Sequence, residues 1–134
     1  MHFIDDPQKN LKASYKYFKD GLLVVIDGKV EAVGNYSSLK KKFKISKLND
    51  FSGKLILPGF IDTHVHYPQT EMIASYGEQL LEWLENYTFP TEKKFKNKAY
   101  ATKIARMFLN KLLKNGTTTA LVFPTVHPES VDAF

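Results

Sequence analysis

The chain has 134 residues, enough for one domain with a hydrophobic core, and a formal net charge of +5. It contains no cysteine, which excludes disulfides, iron–sulfur clusters and thiolate zinc sites, so any metal must be held by histidine or carboxylate side chains. No apolar run reaches the roughly 20 residues that span a bilayer, and the first residues lack a secretion signal, so we expect a cytoplasmic protein without a membrane partner.

The first part of the chain predicts a small antiparallel β unit. Its strongest local signal is Asp27-Gly28 between two apolar runs, because a type I′ hairpin turn requires positive φ at both positions. The predicted elements are an irregular strand at 12–18, a hairpin of strands at 22–26 and 30–33, a short helix at 36–43, and further strands at 45–48 and 55–57.

From Pro58-Gly59 onward the pattern changes to alternating strands and helices. The clearest helix covers residues 98–114, where apolar side chains recur every three or four positions and Asn115-Gly116 follows as a C-cap. The other predicted elements are a strand at 60–66, a helix at 77–87, a connection at 88–96 with Thr91 as a possible N-cap, a strand at 117–123 and a helix beginning at Pro128. This order predicts a βαβ unit with parallel strands and a right-handed crossover. We expect this chain to be the N-terminal piece of a longer protein. The alternative is a complete two-layer α/β domain.

Two histidines, His64 and His66, end the predicted strand at 60–66. Residues two apart in a strand point to the same face, so both imidazoles can reach one point. Neutral imidazole is a standard ligand for zinc and iron. The pair therefore predicts part of a metal site.

The residues around this pair carry a family resemblance. Residues 57–66 resemble the first metal-binding strand of the amidohydrolase superfamily, and residues 50–56 are similar to the end of the small β-sandwich that precedes the barrel in its cytosine-, guanine- and chlorohydrolase-like branch. Three further segments, residues 67–74, 81–92 and 115–120, resemble the guanine deaminases. The implied α/β fold is an N-terminal small β-sandwich portion (residues 1–57) followed by the first βαβ part of a (β/α)8 TIM-type barrel (residues 58–134), truncated.

The resemblance also implies a function and a set of site residues. The reaction is hydrolytic deamination of guanine to xanthine and ammonia, with one zinc ion per subunit of the full-length protein (iron is the alternative) and a homodimer as the assembly. His64 and His66 map onto metal ligands, and His66, Tyr67, Pro68 and Gln69 map onto the substrate contact. Gln69 suits a purine edge because an amide offers both donors and acceptors. We expect the acid/base and the other metal ligands downstream of this chain, which alone would be inactive.

Several side chains have two interpretations. Asp62 could orient His64 from behind or form a local backbone hydrogen bond. His127 could approach the substrate or simply occupy the turn before Pro128. Trp83, Tyr87 and Phe89 could line a pocket or a subunit contact or pack in the core. We expect four of the glutamates to lie in solvent, namely Glu71, Glu82, Glu85 and Glu92.

Two other functions fit parts of the sequence. Another amidohydrolase could act on a different amino-heterocycle or a chlorinated ring. A non-catalytic basic domain could bind a partner through the lysine runs at 40–44 and 93–96, although these lysines also fit a solvated surface, and no nucleic-acid-binding motif accompanies them.

Overall fold

The structure is a computed structural model that describes residues 1–77 and 79–134. It divides into two compact units, Met1–Pro58 and Gly59–Phe134. This division lies one residue beyond the predicted boundary at 57/58. Assigning the units to a sandwich domain and a barrel domain stays a prediction.

The first unit contains two antiparallel ribbons and one helix. Strand β1 (His2–Phe3) pairs with β2 (Tyr15–Lys16), and β3 (Gly21–Ile26) pairs with β4 (Lys29–Asn35). Helix α1 (Tyr36–Lys42) follows directly. Asp27 and Gly28, between β3 and β4, have φ of 50° and 76°, so the positive-φ turn predicted for this hairpin is confirmed.

The strands predicted at 45–48 and 55–57 are wrong, because neither segment is a strand in the structure. A strand needs a partner to complete its hydrogen bonds, and the four strands described in this unit pair only as β1 with β2 and β3 with β4. The predicted strand at 12–18 shortens to two residues for the same reason. Apolar side chains in the unpaired segments face solvent, and Leu48 and Leu55 are 53% and 58% exposed.

The second unit is built on a parallel strand pair. Strand β5 (Phe60–His66) and strand β6 (Thr117–Phe123) lie side by side, with the helical elements between them in sequence. The two strands run parallel, so the predicted parallel pairing is confirmed. A 3-10 segment (Tyr67–Met72) follows β5 at once, with Pro68 in its first turn. None of the described helices is both long enough and apolar enough to cross a membrane.

The predicted connection at 88–96 is wrong, because the chain there is helical. Helix α2 (Leu80–Trp83) runs through a π segment (Leu84–Thr88) into α3 (Phe89–Lys93) and a 3-10 turn (Lys94–Lys96). In the π segment the Phe89 N–H donates to the Leu84 carbonyl, five residues back. This wider turn carries the helix past Pro90, which has no N–H to donate. Glu78, within the helix predicted at 77–87, lies outside the described residues.

Helix α4 (Lys98–Lys114) forms the centre of the second unit, and its predicted bounds are confirmed. The Asn97 side chain caps it by accepting the Tyr100 N–H at 3.1 Å, so the cap is Asn97, and Thr91 lies inside α3. At the other end, Gly116 has a φ of +83°. The buried core consists of Tyr67, Phe95, Ala101, Ile104, Ala105 and Phe108, with Val65 of β5 and Val122 of β6 packed against it.

Candidate metal centre

The end of β5 carries both histidines on an irregular stretch of strand. Asp62 and Val65 pair with Ala120 and Val122 of β6, so two residues of β5 oppose one of β6. This is a β-bulge, a feature that redirects side chains. The Asp62 carboxylate accepts the backbone N–H of His64 at 3.1 Å, across the bulge. The structure thus shows the local hydrogen bond, one of the two interpretations of Asp62.

His64 and His66 converge as the strand pattern predicts. Their Nε2 atoms lie 3.0 Å apart, with His64 exposed and His66 half-buried. Two nitrogens bound at about 2.0–2.1 Å to one zinc, at angles of about 90–110°, lie roughly 2.9–3.4 Å apart. The observed separation falls in that range, so the two imidazoles fit a shared metal ion. Within the described parts of the chain, no third histidine, aspartate or glutamate joins them in a group that could hold a metal.

Phe123 packs against both histidine rings and was missed by the sequence analysis. Its ring centroid lies 4.5 Å from that of His64 and 5.0 Å from that of His66, with interplanar angles of 29° and 16°. The parallel register places Phe123 directly beside His66, at the same edge of the sheet. The sequence contained a signal for this contact. The strands predicted at 60–66 and 117–123 both have seven residues, so a parallel pairing that aligns their first residues also places Phe123 beside His66.

The residues after His66 divide between the core and the site. Tyr67 and Pro68 are buried, and Gln69 is half-buried in the 3-10 segment. The Tyr67 ring packs edge-on against Phe95 at 5.3 Å, and its hydroxyl donates to the Ser130 carbonyl. Burial raises the pKa of Tyr67, an effect partly offset by its hydrogen bond to Ser130. The structure therefore places the Tyr67 side chain in the core, which leaves only its backbone for the predicted substrate contact.

The turn after β6 is held by a buried polar network around Ser130. The Ser130 hydroxyl donates to the His127 carbonyl at 2.7 Å and accepts the Thr125 N–H at 3.0 Å. The His127 N–H in turn donates to the Thr125 hydroxyl at 3.1 Å. His127 is the N-cap residue of α5 (Pro128–Asp132). The His127 backbone thus forms part of the turn before Pro128, which is one of the two interpretations of this residue.

Glu92 was expected in solvent, but it is half-buried beside the site. Burial raises the pKa of Glu92, and electrostatic attraction to His66 and His127 partly opposes that rise. The Glu92 carboxylate on α3 thus lies within electrostatic range of His66, the last residue of β5, and of His127, the N-cap residue of α5. The sequence offered one signal for it, because Glu92 ends the segment 81–92 that resembles the guanine deaminases.

Glu71 is exposed but paired, whereas Glu82 and Glu85 are exposed as expected. The Glu71 carboxylate accepts the Tyr100 hydroxyl at 2.5 Å and lies 3.6 Å from the Lys94 ammonium. Burial raises the pKa of Tyr100, and the Glu71 carboxylate raises it further. These contacts tie the 3-10 segment that carries Gln69 to α4.

The aromatic side chains of the α2–α3 run lie mostly at the surface. Trp83 is half-buried and donates from Nε1 to the Ser75 carbonyl at 3.1 Å. Tyr87 and Phe89 are 36% and 49% exposed. The core role that was one interpretation of Tyr87 and Phe89 is therefore wrong for the described structure.

Comparison with known proteins places this arrangement in context. Residues 55–134 match the family model described as "Amidohydrolase family". The chain is 50% identical over 131 residues to guanine deaminase from Escherichia coli (strain K12), covering 97% of this chain and 30% of that protein. The solved structure titled "E. coli Guanine Deaminase" superimposes with a TM-score of 0.87 over the same shares of the two chains.

Two further solved structures agree. Guanine deaminase from Bradyrhizobium japonicum is 35% identical, with a TM-score of 0.82 over 98% of this chain and 29% of that one. Guanine deaminase from C. acetobutylicum, solved with guanine in its active site, is 35% identical, with a TM-score of 0.59 over 85% of this chain and 27% of that one. The chain thus spans about 30% of the length of these relatives.

The family model covers more than half of the chain, and it includes both histidines, the bulged strand that carries them and the neighbouring strand that carries Phe123. The chain therefore belongs to the amidohydrolase family.

Proposed function

We propose that the whole protein is a guanine deaminase, which hydrolyses guanine to xanthine and ammonia. One observation carries the proposal. The Nε2 atoms of His64 and His66 lie 3.0 Å apart, and Gln69 follows three residues after His66, in a chain that is 50% identical to the E. coli enzyme. The C. acetobutylicum relative has guanine bound in its active site, which supports guanine as the substrate.

In this proposal His64 and His66 hold the metal through Nε2. The donor set that this chain supplies, two imidazole nitrogens, suits zinc, with iron as the alternative. When bound, such an ion lowers the pKa of a water ligand toward neutrality and so supplies a nucleophile at physiological pH. Catalytic zinc usually has three protein ligands, so the proposal requires at least one more ligand, and an acid/base, from the rest of the whole protein.

In this proposal, Gln69 recognises the substrate through hydrogen bonds. Its side-chain amide has two N–H donors and a carbonyl acceptor, and the edge of guanine presents both donors and acceptors. A buried purine group left without a partner costs about 1–3 kcal/mol, so a matching amide discriminates between bases. Tyr67 and Pro68 contribute through their backbone, because their side chains are buried.

The remaining parts of the proposal rest on the family resemblance. They are a small β-sandwich formed with Met1–Pro58, a (β/α)8 barrel that begins with the β5–α4–β6 unit, a homodimeric assembly and a cytoplasmic location. The parallel β5–β6 pair, with α4 packed on it, is the arrangement expected at the start of such a barrel.

The test is ammonia release by the purified whole protein from guanine, adenine and cytosine, with and without added zinc. We expect release from guanine alone, and loss of both activity and bound metal in His66→Ala. His2→Ala is the matched control, because His2 lies in β1 of the other unit and contacts the Phe18 ring, and it should retain both. Release from adenine or cytosine without release from guanine would refute the substrate assignment.

A further inference from the structure

Phe123 is the aromatic side chain that both candidate metal ligands share. It lies nearly parallel to the His66 ring at 5.0 Å and stacks on the His64 ring at 4.5 Å, while the two imidazoles are 5.1 Å apart and tilted by 39°. One phenyl ring thus contacts two imidazoles that come from a different strand. The contact exists only because β5 and β6 are parallel and in register at their last residues.

The histidine pair needs such a support for a physical reason. The bulge in β5 disrupts the strand pairing at Thr63 and His64, so pairing with β6 holds the backbone of His64 less firmly than that of His66, which pairs with Phe123. Within the described residues His64 is exposed, and the rings that contact its imidazole are those of His66 and Phe123. A metal ligand that can rotate must lose that freedom on binding, and this loss weakens the site. Groups behind a ligating histidine usually prevent the loss by fixing the ring orientation.

We propose that Phe123 is a positioning residue for the metal centre: its ring orients the imidazoles of His64 and His66 so that both Nε2 atoms reach the same ion. The inference rests on the proposed function, since it concerns the metal of that site. Phe123 acts through the two histidines and takes no part in the chemistry itself.

The experiment measures zinc affinity of the whole protein by competition with a chromophoric chelator. Phe123→Leu keeps an apolar side chain but loses the flat ring, and we expect its zinc affinity to fall about 10- to 100-fold. Phe123→Tyr keeps the ring face and should restore an affinity close to the original. Phe3→Leu is the matched control, because it makes the same chemical change at a residue in β1 of the other unit that is 58% exposed, and it should leave zinc affinity unchanged.

A second measurement separates positioning from general stability. The absorption spectrum of the cobalt-substituted protein reports coordination geometry, so it should change in Phe123→Leu and keep its original form in Phe3→Leu. If Phe123→Leu does not fold, Phe123→Met replaces it with a more adaptable apolar side chain.

Three results would overturn the inference, and they can be told apart. If the unaltered protein deaminates guanine and binds zinc, but Phe123→Leu binds zinc equally well, only the role of Phe123 fails. If Phe3→Leu weakens zinc binding as much as Phe123→Leu does, a general loss of stability explains the effect. If the unaltered protein neither binds zinc nor releases ammonia from guanine, the proposed function fails together with this inference.

Discussion

Gly59, at the start of the second unit, has no room for a side chain. A Cβ at this position would lie 2.0 Å from Thr118 Oγ1, 2.3 Å from its Cγ2 and 2.6 Å from its Cβ. Rotation of the threonine moves Oγ1 and Cγ2 but leaves Cβ in place, so the backbone must shift. Overpacking of this kind typically costs about 1–3 kcal/mol. Because Phe60, the next residue, donates to the Gly116 carbonyl at 2.7 Å, the shift falls on the first hydrogen bond of the β5–β6 pair.

Thermal unfolding of Gly59→Ala therefore tests how tightly these strands approach each other. We expect the midpoint of the whole protein to fall by no more than about 2–4 °C for each kcal/mol lost, because the shift per kcal/mol decreases with protein size. In a Thr118→Gly background, Gly59→Ala should cause little loss of stability, because Thr118→Gly removes all three clashing atoms. In a Thr118→Ala background the loss should be larger, since alanine keeps Cβ. A Gly59→Ala midpoint equal to the original, or an equal loss in both backgrounds, would refute the steric argument.

Three further changes test other contacts. Tyr67→Phe removes a buried hydroxyl that donates to a core carbonyl, so thermal unfolding should show a loss of about 1–3 kcal/mol, whereas Tyr17→Phe, at a residue that is 57% exposed, should be neutral. The pKa of Tyr100 is raised, so the folded state favours its protonated hydroxyl, and this contribution to stability is fully present below the ordinary tyrosine pKa of 10.0. The contribution is lost as the pH rises above 10.0. Unfolding midpoints measured across pH 10 should therefore decline less steeply in Tyr100→Phe. Gln69→Leu should lower kcat/KM for guanine in the whole protein about 10- to 100-fold while metal content stays unchanged, and an unaltered kcat/KM would remove Gln69 from substrate recognition.

The elements that the sequence predicted well are those whose signals are local. The bounds of Lys98–Lys114 follow from apolar side chains at helical spacing and from Asn115-Gly116 at its end, all within one continuous segment. The Asp27-Gly28 turn likewise depends only on the φ that these two residues can adopt. The convergence of His64 and His66 was predictable because it needs only strand geometry over three residues.

The failures involve partners that are distant in the sequence. The apolar composition of residues 45–48 and 55–57 suits strands, but composition does not specify which chain segment supplies the hydrogen bonds. Phe123 has no ligand chemistry of its own, so it matters only through a register that joins two separate strands. Glu92 is half-buried because the helical run continues past Pro90 to Lys93, whereas the sequence predicts a connection there, since a proline often indicates a helix boundary.

The hydrogen bond from Tyr67 to Ser130 also bears on the order in which this unit folds. Its two partners are 63 positions apart along the chain, and closing a loop of that length costs about 4 kcal/mol of chain entropy before any contact is gained. Helix α4, whose hydrogen bonds are local, can form well before that closure. We therefore expect the approach of β6 to β5 to be a late kinetic event, so that Phe123 reaches the histidines only after most of the helix has formed. Zinc, which binds best once the histidines are oriented, would then slow unfolding and leave the early folding phase unchanged.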